Sequence, residues 1–138
     1  MTNDELIAAA AEVVNRHKSG NTEYGQVASA LETYGGEIFR GVCIDVRSSM
    51  GFCAEHSAAA AMITTGESRI KRIVAVWKSV DGVVHILPPC GRCREFLSQI
   101  NEANLETDVI LGRSESKALR DLLPYGDLFS TEPPVGRK

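Results

Sequence analysis

The sequence lacks a long apolar run, a marked excess of charge of one sign, and abundant aromatic residues. No apolar stretch approaches the roughly 18 residues that are needed to cross a bilayer. The net charge of -3 and the 6% of aromatic residues count against a nucleic-acid binder, which needs a basic groove and stacking rings. The first residues, Thr2 to Glu5, give no basic segment ahead of an apolar one, so we expect no signal peptide and a cytoplasmic protein.

The composition is typical of one folded domain. The chain has 138 residues, of which 43% are hydrophobic and 24% charged, whereas disordered chains have fewer apolar residues and a larger net charge. We expect a single domain over residues 1–129. A disordered tail is expected over residues 130–138, which contain Pro133-Pro134 and show no apolar periodicity.

The hydrophobic pattern changes period along the chain and indicates alternating helices and strands. It predicts helices over residues 3–18, 53–65, 90–100 and 117–122. It predicts strands over residues 24–32, 37–46, 72–77, 83–87 and 109–111, with Gly35-Gly36 turning the chain between the first two. The run Ile73 to Trp77 is too continuous for a strand with one wet face, so we place it in the centre of a sheet. The predicted fold class is α/β, a three-layer αβα sandwich with helices on both faces of a mixed sheet.

Four cysteines stand at positions 43, 53, 90 and 93. Disulfides are rare in a reducing compartment, and a domain of this size needs none. Cys43 lies in the apolar run 42–46. In such a run a cysteine is as often a small buried hydrophobic residue as a functional one. Cys90 and Cys93 form a CxxC sequence after Pro89, and such a sequence is usually a metal clamp or a redox pair.

Three of these cysteines fall at predicted helix starts, where free backbone N–H groups favour thiolates. Residues at i and i+3 share a helix face, so Cys90 and Cys93 can hold one ion. Cys53 can supply a third sulfur if the two helices pack side by side. Three protein ligands leave tetrahedral zinc with an open position, which distinguishes catalytic from structural zinc. Glu55 can act as a general base beside such an ion, although a glutamate in the first turn also simply complements the helix dipole.

The two cysteine segments together match a known signature. Zinc deaminases that act on nucleobases carry H-x-E followed by P-C-x-x-C, with a three-cysteine variant, and this sequence has Cys53-Ala54-Glu55 and Pro89-Cys90-Gly91-Arg92-Cys93. Further agreement lies in the segments Val27–Leu31, Glu37–Val42 and Leu122–Pro124. The sequence resembles the cytidine deaminase family and looks closest to its blasticidin-S deaminase branch. The resemblance implies a five-stranded mixed sheet, a homotetramer, and hydrolysis of the exocyclic amino group of a cytosine ring with release of ammonia.

The resemblance also implies roles for individual residues. The three cysteines at the helix starts would hold one zinc ion per subunit. Glu55 would take a proton from the zinc-bound water, protonate the ring nitrogen and pass a proton to the leaving amine. The backbone N–H of Ala54 would bond the pyrimidine carbonyl. The backbone carbonyl of Pro88, where the family usually has serine, would receive the leaving amine.

Three thiolates give the zinc site a net negative charge, so the sulfurs need donors to offset it. In the cytidine deaminases an arginine after the glutamate bonds a zinc thiolate, whereas here His56 stands at that position. Arg92 or Arg94 can take over this compensation, since the blasticidin-S enzymes also have CGRCR, and we assign it to Arg92 together with His56. Solvated surface arginines are the alternative interpretation.

The sequence departs from the family where the sugar would be bound. The nucleoside enzymes bond the ribose hydroxyls with the asparagine and glutamate of a G-x-N-x-E strand. Here Cys43 and Asp45 occupy those two positions. Because a thiol is a weak hydrogen-bonding group, this strand bears on which substrate is bound and not on the deamination chemistry.

Two aromatic positions of the family belong to its substrate site, and we assign them to Tyr24 and Phe129. The aromatic residue that usually precedes the first strand falls near Tyr24. The expected aromatic position after Leu122–Pro124 holds Asp127, with Phe129 two residues further on. Phe129 could reach the pocket of a neighbouring subunit or pack against its own core.

These observations predict deamination of a small cytosine nucleoside, with cytidine or deoxycytidine as the first choice. The alternative is blasticidin S or another modified cytosine nucleoside, which the VASA and CGRCR segments and the loss of the ribose asparagine favour. Asp45 or Asp127 would also suit a cationic substrate. A structural zinc module with Cys43 as a fourth ligand and a CxxC redox protein are the hypotheses from other classes. We expect no nucleic-acid polymer and no membrane as partners.

Overall fold

The computed structural model describes residues 1–126, 132–133 and 135–136 of the chain. Three α-helices lie within these residues: α1 (Asn3–Glu12), α2 (Ala54–Thr64) and α3 (Gly91–Ile100). The strands are β1 (His17–Ser19), β2 (Thr22–Thr33), β3 (Ile38–Asp45), β4 (Ile70–Lys78), β5 (Val84–Leu87), β6 (Asp108–Ile110) and β7 (Ser116–Ala118). Short 3-10 helices cover Arg47–Ser49, Glu102–Glu106 and Leu119–Leu122.

The strands form one mixed sheet with β2 and β4 at its centre. Strand β2 pairs antiparallel with β3 on one edge and with β4 on the other, where β1 also pairs with its first residues. The second edge of β4 pairs antiparallel with β5 and, further towards its start, parallel with β6. Strand β7 then closes the sheet against β6. The run predicted as a central strand therefore lies between neighbours on both edges.

Helices cover both faces of this sheet. On one face, α2 and α3 pack against alternate residues of the central strands, such as Leu31 and Ile73. On the other face, α1 packs against the intervening residues, such as Ala30 and Val74. Because successive side chains of a strand point to opposite faces, the two adjacent pairs of residues serve two separate apolar layers. The predicted three-layer α/β class is confirmed.

The first helix is shorter than predicted and is followed by a hairpin. Thr2 and Glu5 form a capping box that fixes its start, but α1 ends at Glu12 and not at residue 18. Residues 21–23, predicted as loop, include the start of β2, which pairs with β1 across Gly20-Asn21. Gly20 has a φ of 59°, which a two-residue hairpin turn needs. The tertiary pairing of β1 overrides the helical pattern at this point.

The prediction of a helix over residues 117–122 is wrong in its first two residues. Ser116–Ala118 is a strand that pairs with β6, and only Leu119–Leu122 forms a 3-10 helix. Six residues are too few to sustain an α-helix without tertiary support, and the ladder offers hydrogen bonds that a single turn does not. With β1 and β7 the sheet has seven strands in the described residues. The predicted number of five is thus corrected by two short strands of three residues each.

The remaining elements lie within one or two residues of their predicted bounds, including α2, α3 and β5. The predicted boundary at residue 129 and the predicted tail fall mainly outside the described residues, so they stay predictions. In the part of the chain that is described, no helix has the length and apolarity to span a membrane.

Candidate metal centre and active site

A tight connection from β3 to α2 places Cys53. The segment after β3 returns beside it, so that Ile44 and Phe52 exchange two backbone hydrogen bonds of 3.0 Å. A Cβ on Gly51 would lie 2.0 Å from the Ile44 carbonyl oxygen, so only glycine permits this approach. Cys53 follows as the N-cap of α2, and its thiol makes no capping hydrogen bond. The sulfur is therefore available to bind a metal ion together with other ligands.

Helix α2 also lies unusually close to β3. A Cβ on Gly41 would lie 2.3 Å from the backbone nitrogen of Ala58 and 2.4 Å from the Cβ of Ser57. The Ser57 hydroxyl donates a 2.6 Å hydrogen bond to the Val42 carbonyl. This contact fixes the first turn of α2, which carries Cys53 and Glu55, against the sheet.

The second cysteine segment follows β5 in the same manner. Cys90 is the N-cap of α3, again without a side-chain capping bond, and Cys93 lies one turn further on. Arg94 holds this start in place, since its guanidinium donates to the carbonyls of Pro89 (2.9 Å) and Leu122 (3.1 Å). Arg94 thus supports the backbone of the loop before α3.

The sulfurs of Cys53, Cys90 and Cys93 form one cluster, as predicted. Their Sγ atoms all lie within 4.8 Å of one another, and the distances from Cys90 to Cys53 and to Cys93 are both 3.5 Å. Tetrahedral zinc with bonds of about 2.3 Å to sulfur needs about 3.8 Å between ligand sulfurs. The cluster therefore fits a zinc ion and supplies the soft donors that zinc accepts.

Burial and the helix starts act in opposite directions on these thiols. Burial raises the pKa of the Cys53 thiol and, with the nearby Glu55 carboxyl, that of Cys93. Burial also raises the pKa of Cys90, but hydrogen bonds from the backbone N–H groups of Cys93 and Arg92 and from the neighbouring thiols outweigh it, so the net pKa is lowered. A cation that binds here displaces thiol protons, and Cys90 releases its proton most readily.

Glu55 lies in the first turn of α2 and is 5% exposed. Burial raises its pKa, with opposing hydrogen bonds from its own N–H and from the Cys93 thiol. Its side chain lines a cavity of about 350 Å³ that Cys53 and Cys90 also line. A carboxyl with a raised pKa at the edge of such a cavity is suited to receive and return a proton.

His56 and Arg92 flank the cluster in different ways. The Nδ1 atom of His56 lies 3.6 Å from the Cys93 sulfur, and its ring stacks on Phe96 with 4.0 Å between ring centroids. Burial, with the charge of Arg92, lowers the pKa of His56, so the ring is neutral at pH 7. Arg92 lines the cavity and donates to the Gly51 carbonyl at 3.4 Å. Within the described part of the chain, His56 is the one of the two whose side chain contacts a cluster sulfur.

Most of the residues predicted to bind substrate line the same cavity. Ala54 and Pro88 lie beside the cysteines, whereas Cys43 and Asp45 lie on the β3 side. Cys43 stands apart from the sulfur cluster, and its thiol accepts a weak 3.4 Å hydrogen bond from the Val27 N–H. Burial raises the pKa of the Cys43 thiol. The four cysteines thus divide into three cluster sulfurs and one cavity-lining thiol.

Tyr24 lies away from the cavity. Its ring stacks on His17 of β1 with 4.9 Å between centroids, and it is 40% exposed. Asp127 and Phe129, the other predicted contacts, fall outside the described residues.

The sequence reasoning did not identify Gln26, which lines the cavity next to Asp45. Its amide nitrogen donates to the Asp45 carboxylate. Gln26 follows Gly25 in an irregular part of β2. The one feature of the sequence that could have indicated its role is a polar side chain next to the apolar part of this strand.

Two helix starts thus bring three thiols together on a three-layer α/β fold, and Cys53 and Cys90 line one cavity with the buried Glu55. The chain is similar to two solved cytidine deaminases. For the protein of Burkholderia pseudomallei the TM-score is 0.71 with 25% identity, covering 91% of this chain and 98% of that one. For the protein of Mycobacterium leprae the TM-score is 0.69 with 25% identity, covering 90% and 99%.

Among characterised proteins, the chain is similar to a blasticidin-S deaminase of Bacillus cereus, with 27% identity over 125 residues. That match covers 87% of this chain and 88% of the relative. No protein-family model matches the chain. The predicted resemblance to the cytidine deaminases and to their blasticidin-S branch is confirmed, as are the predicted enzyme class and the fit of a zinc cofactor.

Proposed function

We propose that the protein removes the exocyclic amino group of a cytosine nucleoside by hydrolysis, with cytidine and deoxycytidine as its first substrates. The observation that carries the proposal is a cluster of three sulfurs within 4.8 Å of one another, at a cavity of about 350 Å³ that two of these cysteines line together with Glu55. That volume falls within the range of small-molecule sites. The reaction adds one water molecule to the ring and releases ammonia, leaving the uracil form.

The three thiolates, Glu55, Ala54 and Pro88 have separate roles in this proposal. Bound by the three thiolates, zinc would supply a Lewis acid that activates water at neutral pH. Glu55 would accept a proton from the attacking water and pass it to the ring nitrogen. It would then take the remaining proton of the hydroxyl group added to the ring carbon and deliver it to the departing amine, so that the carbonyl forms as ammonia leaves. The Ala54 N–H, in the first turn of α2 and without an intrahelical acceptor, donates to the pyrimidine carbonyl. The Pro88 carbonyl oxygen accepts from the amine.

His56 has a supporting role that the sequence predicted. As a neutral ring 3.6 Å from the Cys93 sulfur, it can donate a hydrogen bond to that thiolate without adding charge. Its stacking on Phe96 holds the ring in the required orientation. Arg92, whose guanidinium lies at the cavity, adds a positive charge nearby.

The test is an ammonia-release screen of zinc-loaded protein with cytidine, deoxycytidine, cytosine and blasticidin S. Glu55→Gln should lower kcat by at least about a hundredfold, since general acid–base catalysis contributes roughly that much. Glu115→Gln, on the exposed turn between β6 and β7, is the matched control. Full activity of Glu55→Gln would sink the mechanism, and inactivity on every cytosine compound with zinc bound would sink the substrate class.

Blasticidin S is the second candidate substrate. The similarity to the blasticidin-S deaminase over most of both chains supports it, and so does Asp45, which puts a carboxylate on the cavity wall. The same screen separates the two candidates, because the ratio of kcat/KM values for cytidine and blasticidin S ranks them directly.

The proposal also includes a homotetramer in the cytoplasm, as the family resemblance implies. All four cysteines are free thiols, which suits a reducing compartment. Sedimentation equilibrium of the zinc-loaded protein measures the number of subunits, and a monomeric mass would contradict the tetramer.

A further inference from the structure

An irregular segment of β2 forms one wall of the cavity. The pairing of β2 with β3 passes from Tyr24 opposite Ile44 to Ala28 opposite Val42. Three residues of β2 thus stand opposite the single residue Cys43. Bulges of this kind redirect side chains next to functional sites. Here the bulge directs Gln26 towards the cavity.

Gly25 makes this bulge possible. Its φ is +82°, and a Cβ at this position would lie 2.1 Å from the Asn15 carbonyl oxygen. The Gly25 carbonyl in turn accepts a 2.9 Å hydrogen bond from the Asn15 N–H. The bulge is therefore fixed by backbone contacts to the segment after α1, and Gln26 has a defined direction.

The Asp45 carboxylate determines which end of the Gln26 amide is free. An ionised carboxylate only accepts hydrogen bonds, so Gln26 turns its Nε2 group towards Asp45. The Oε1 atom is left enclosed and without a hydrogen-bond partner among the described residues. An unpaired polar atom of this kind costs about 1–3 kcal/mol, a cost that a donor entering the cavity would remove. The terminal torsion of glutamine is soft, so a small rotation brings Oε1 to such a donor.

We infer that Gln26, held by Asp45, is a specificity-determining residue that accepts a hydrogen bond from a donor on the sugar side of the substrate. This inference rests on the proposed function, and it goes further by stating the polarity that the substrate must present there. Gln26 and Asp45 together offer acceptors, and Cys43 beside them is a weak partner. The donor is a sugar hydroxyl or the ammonium group of a modified cytosine nucleoside.

The experiment compares kcat/KM of wild type and Gln26→Met for cytidine, 2′-deoxycytidine, 3′-deoxycytidine and blasticidin S. Methionine keeps the length of the side chain and removes the amide. We expect the variant to lose about tenfold more activity on the substrate that carries the donor than on one that lacks it. A loss on cytidine and 3′-deoxycytidine that spares 2′-deoxycytidine identifies the 2′-hydroxyl, and a loss that spares only 3′-deoxycytidine among the three identifies the 3′-hydroxyl. A loss concentrated on blasticidin S identifies an ammonium group.

Two further variants separate polarity from packing. The side-chain amide of Asp45→Asn can accept or donate a hydrogen bond, so Gln26 loses its fixed orientation. We expect kcat/KM for the donor-bearing substrate, relative to kcat/KM for a substrate without the donor, to fall even though the glutamine remains. Gln99→Met is the matched control, because Gln99 is the other glutamine of the chain and bonds Glu95 on the exposed surface of α3. It should keep the wild-type ratio.

Equal losses on all four substrates, or no loss on any, would overturn the inference. Calorimetric Kd values for the same compounds provide a readout that needs no turnover. If zinc-loaded wild type releases no ammonia, the proposed function fails. The Kd ratios then decide the inference separately: ratios that Gln26→Met leaves unchanged refute it, and ratios that collapse support it.

Discussion

Gly41→Ala is expected to disturb the metal centre from a position outside the cavity. The added Cβ would lie 2.3 Å from the Ala58 nitrogen and 2.6 Å from the Ser57 carbonyl carbon, whereas ordinary van der Waals contact begins at 3.4 Å. The deficit is about 1 Å, and it falls on backbone atoms of α2 that have no torsional freedom to move aside. Helix α2 must therefore shift from β3 by about that distance.

The shift has two measurable costs. Overpacking of this kind destabilises a core by about 1–3 kcal/mol, and the 2.6 Å bond from Ser57 to Val42 would lengthen as well. We expect a loss of about 3 kcal/mol in the free energy of unfolding. A movement of about 1 Å at the first turn of α2 also displaces Cys53 and Glu55, and a misplacement of this size can lower catalysis about a hundredfold.

The measurement combines denaturant unfolding, zinc content and kcat/KM. The matched control is Gly91→Ala in the first turn of α3, where an added Cβ meets no atom within 4 Å. The control should be neutral or more stable by about 0.5 kcal/mol, because alanine is the better helix former. If Gly41→Ala unfolds within 0.5 kcal/mol of wild type and keeps full activity, the reasoning on the close packing of α2 is refuted.

Two further predictions concern residues beside and below the site. Cys43→Ala should keep one zinc per chain by elemental analysis, because Cys43 stands outside the sulfur cluster; loss of zinc would favour the structural module with four cysteines. Asn104→Ala should lower the free energy of unfolding by about 3 kcal/mol in a denaturant titration. The fully buried Asn104 side chain bonds the Ile70 N–H and the carbonyls of Ser68 and Leu97, and a loss below 1 kcal/mol would contradict its role in joining α3 to β4.

The metal cluster could be predicted because its determinants are local. Cys53 and Cys90 are N-caps, each ahead of a helix whose bounds follow from apolar periodicity and from Gly66 or Pro89. Once two such helices lie on the same face of a sheet, the sulfurs meet. The prediction therefore needed only element types and the packing rule for α/β layers.

The position of Gln26 on the wall of the cavity could not be predicted in the same way. The direction of Gln26 depends on the backbone conformation of Gly25 and on the contact of Gly25 with Asn15, ten residues earlier. The pattern of side chains along the sequence indicates neither of these. The short strands β1 and β7 were missed for a related reason. They are defined by their pairing partners, and Ser116–Ala118 in isolation has no strand periodicity to read.

The sulfur cluster also affects folding, because it joins parts of the chain that are distant in sequence. Cys53 and Cys90 are 37 residues apart, and the chain between them includes α2, β4 and β5. A metal bound to both closes that segment into a loop. For a covalent link of the same span, the loop-entropy relation gives about 4 kcal/mol of destabilisation of the unfolded state. The ion would thus act as a removable cross-link, and a chelator would lower the melting temperature of the domain together with its activity.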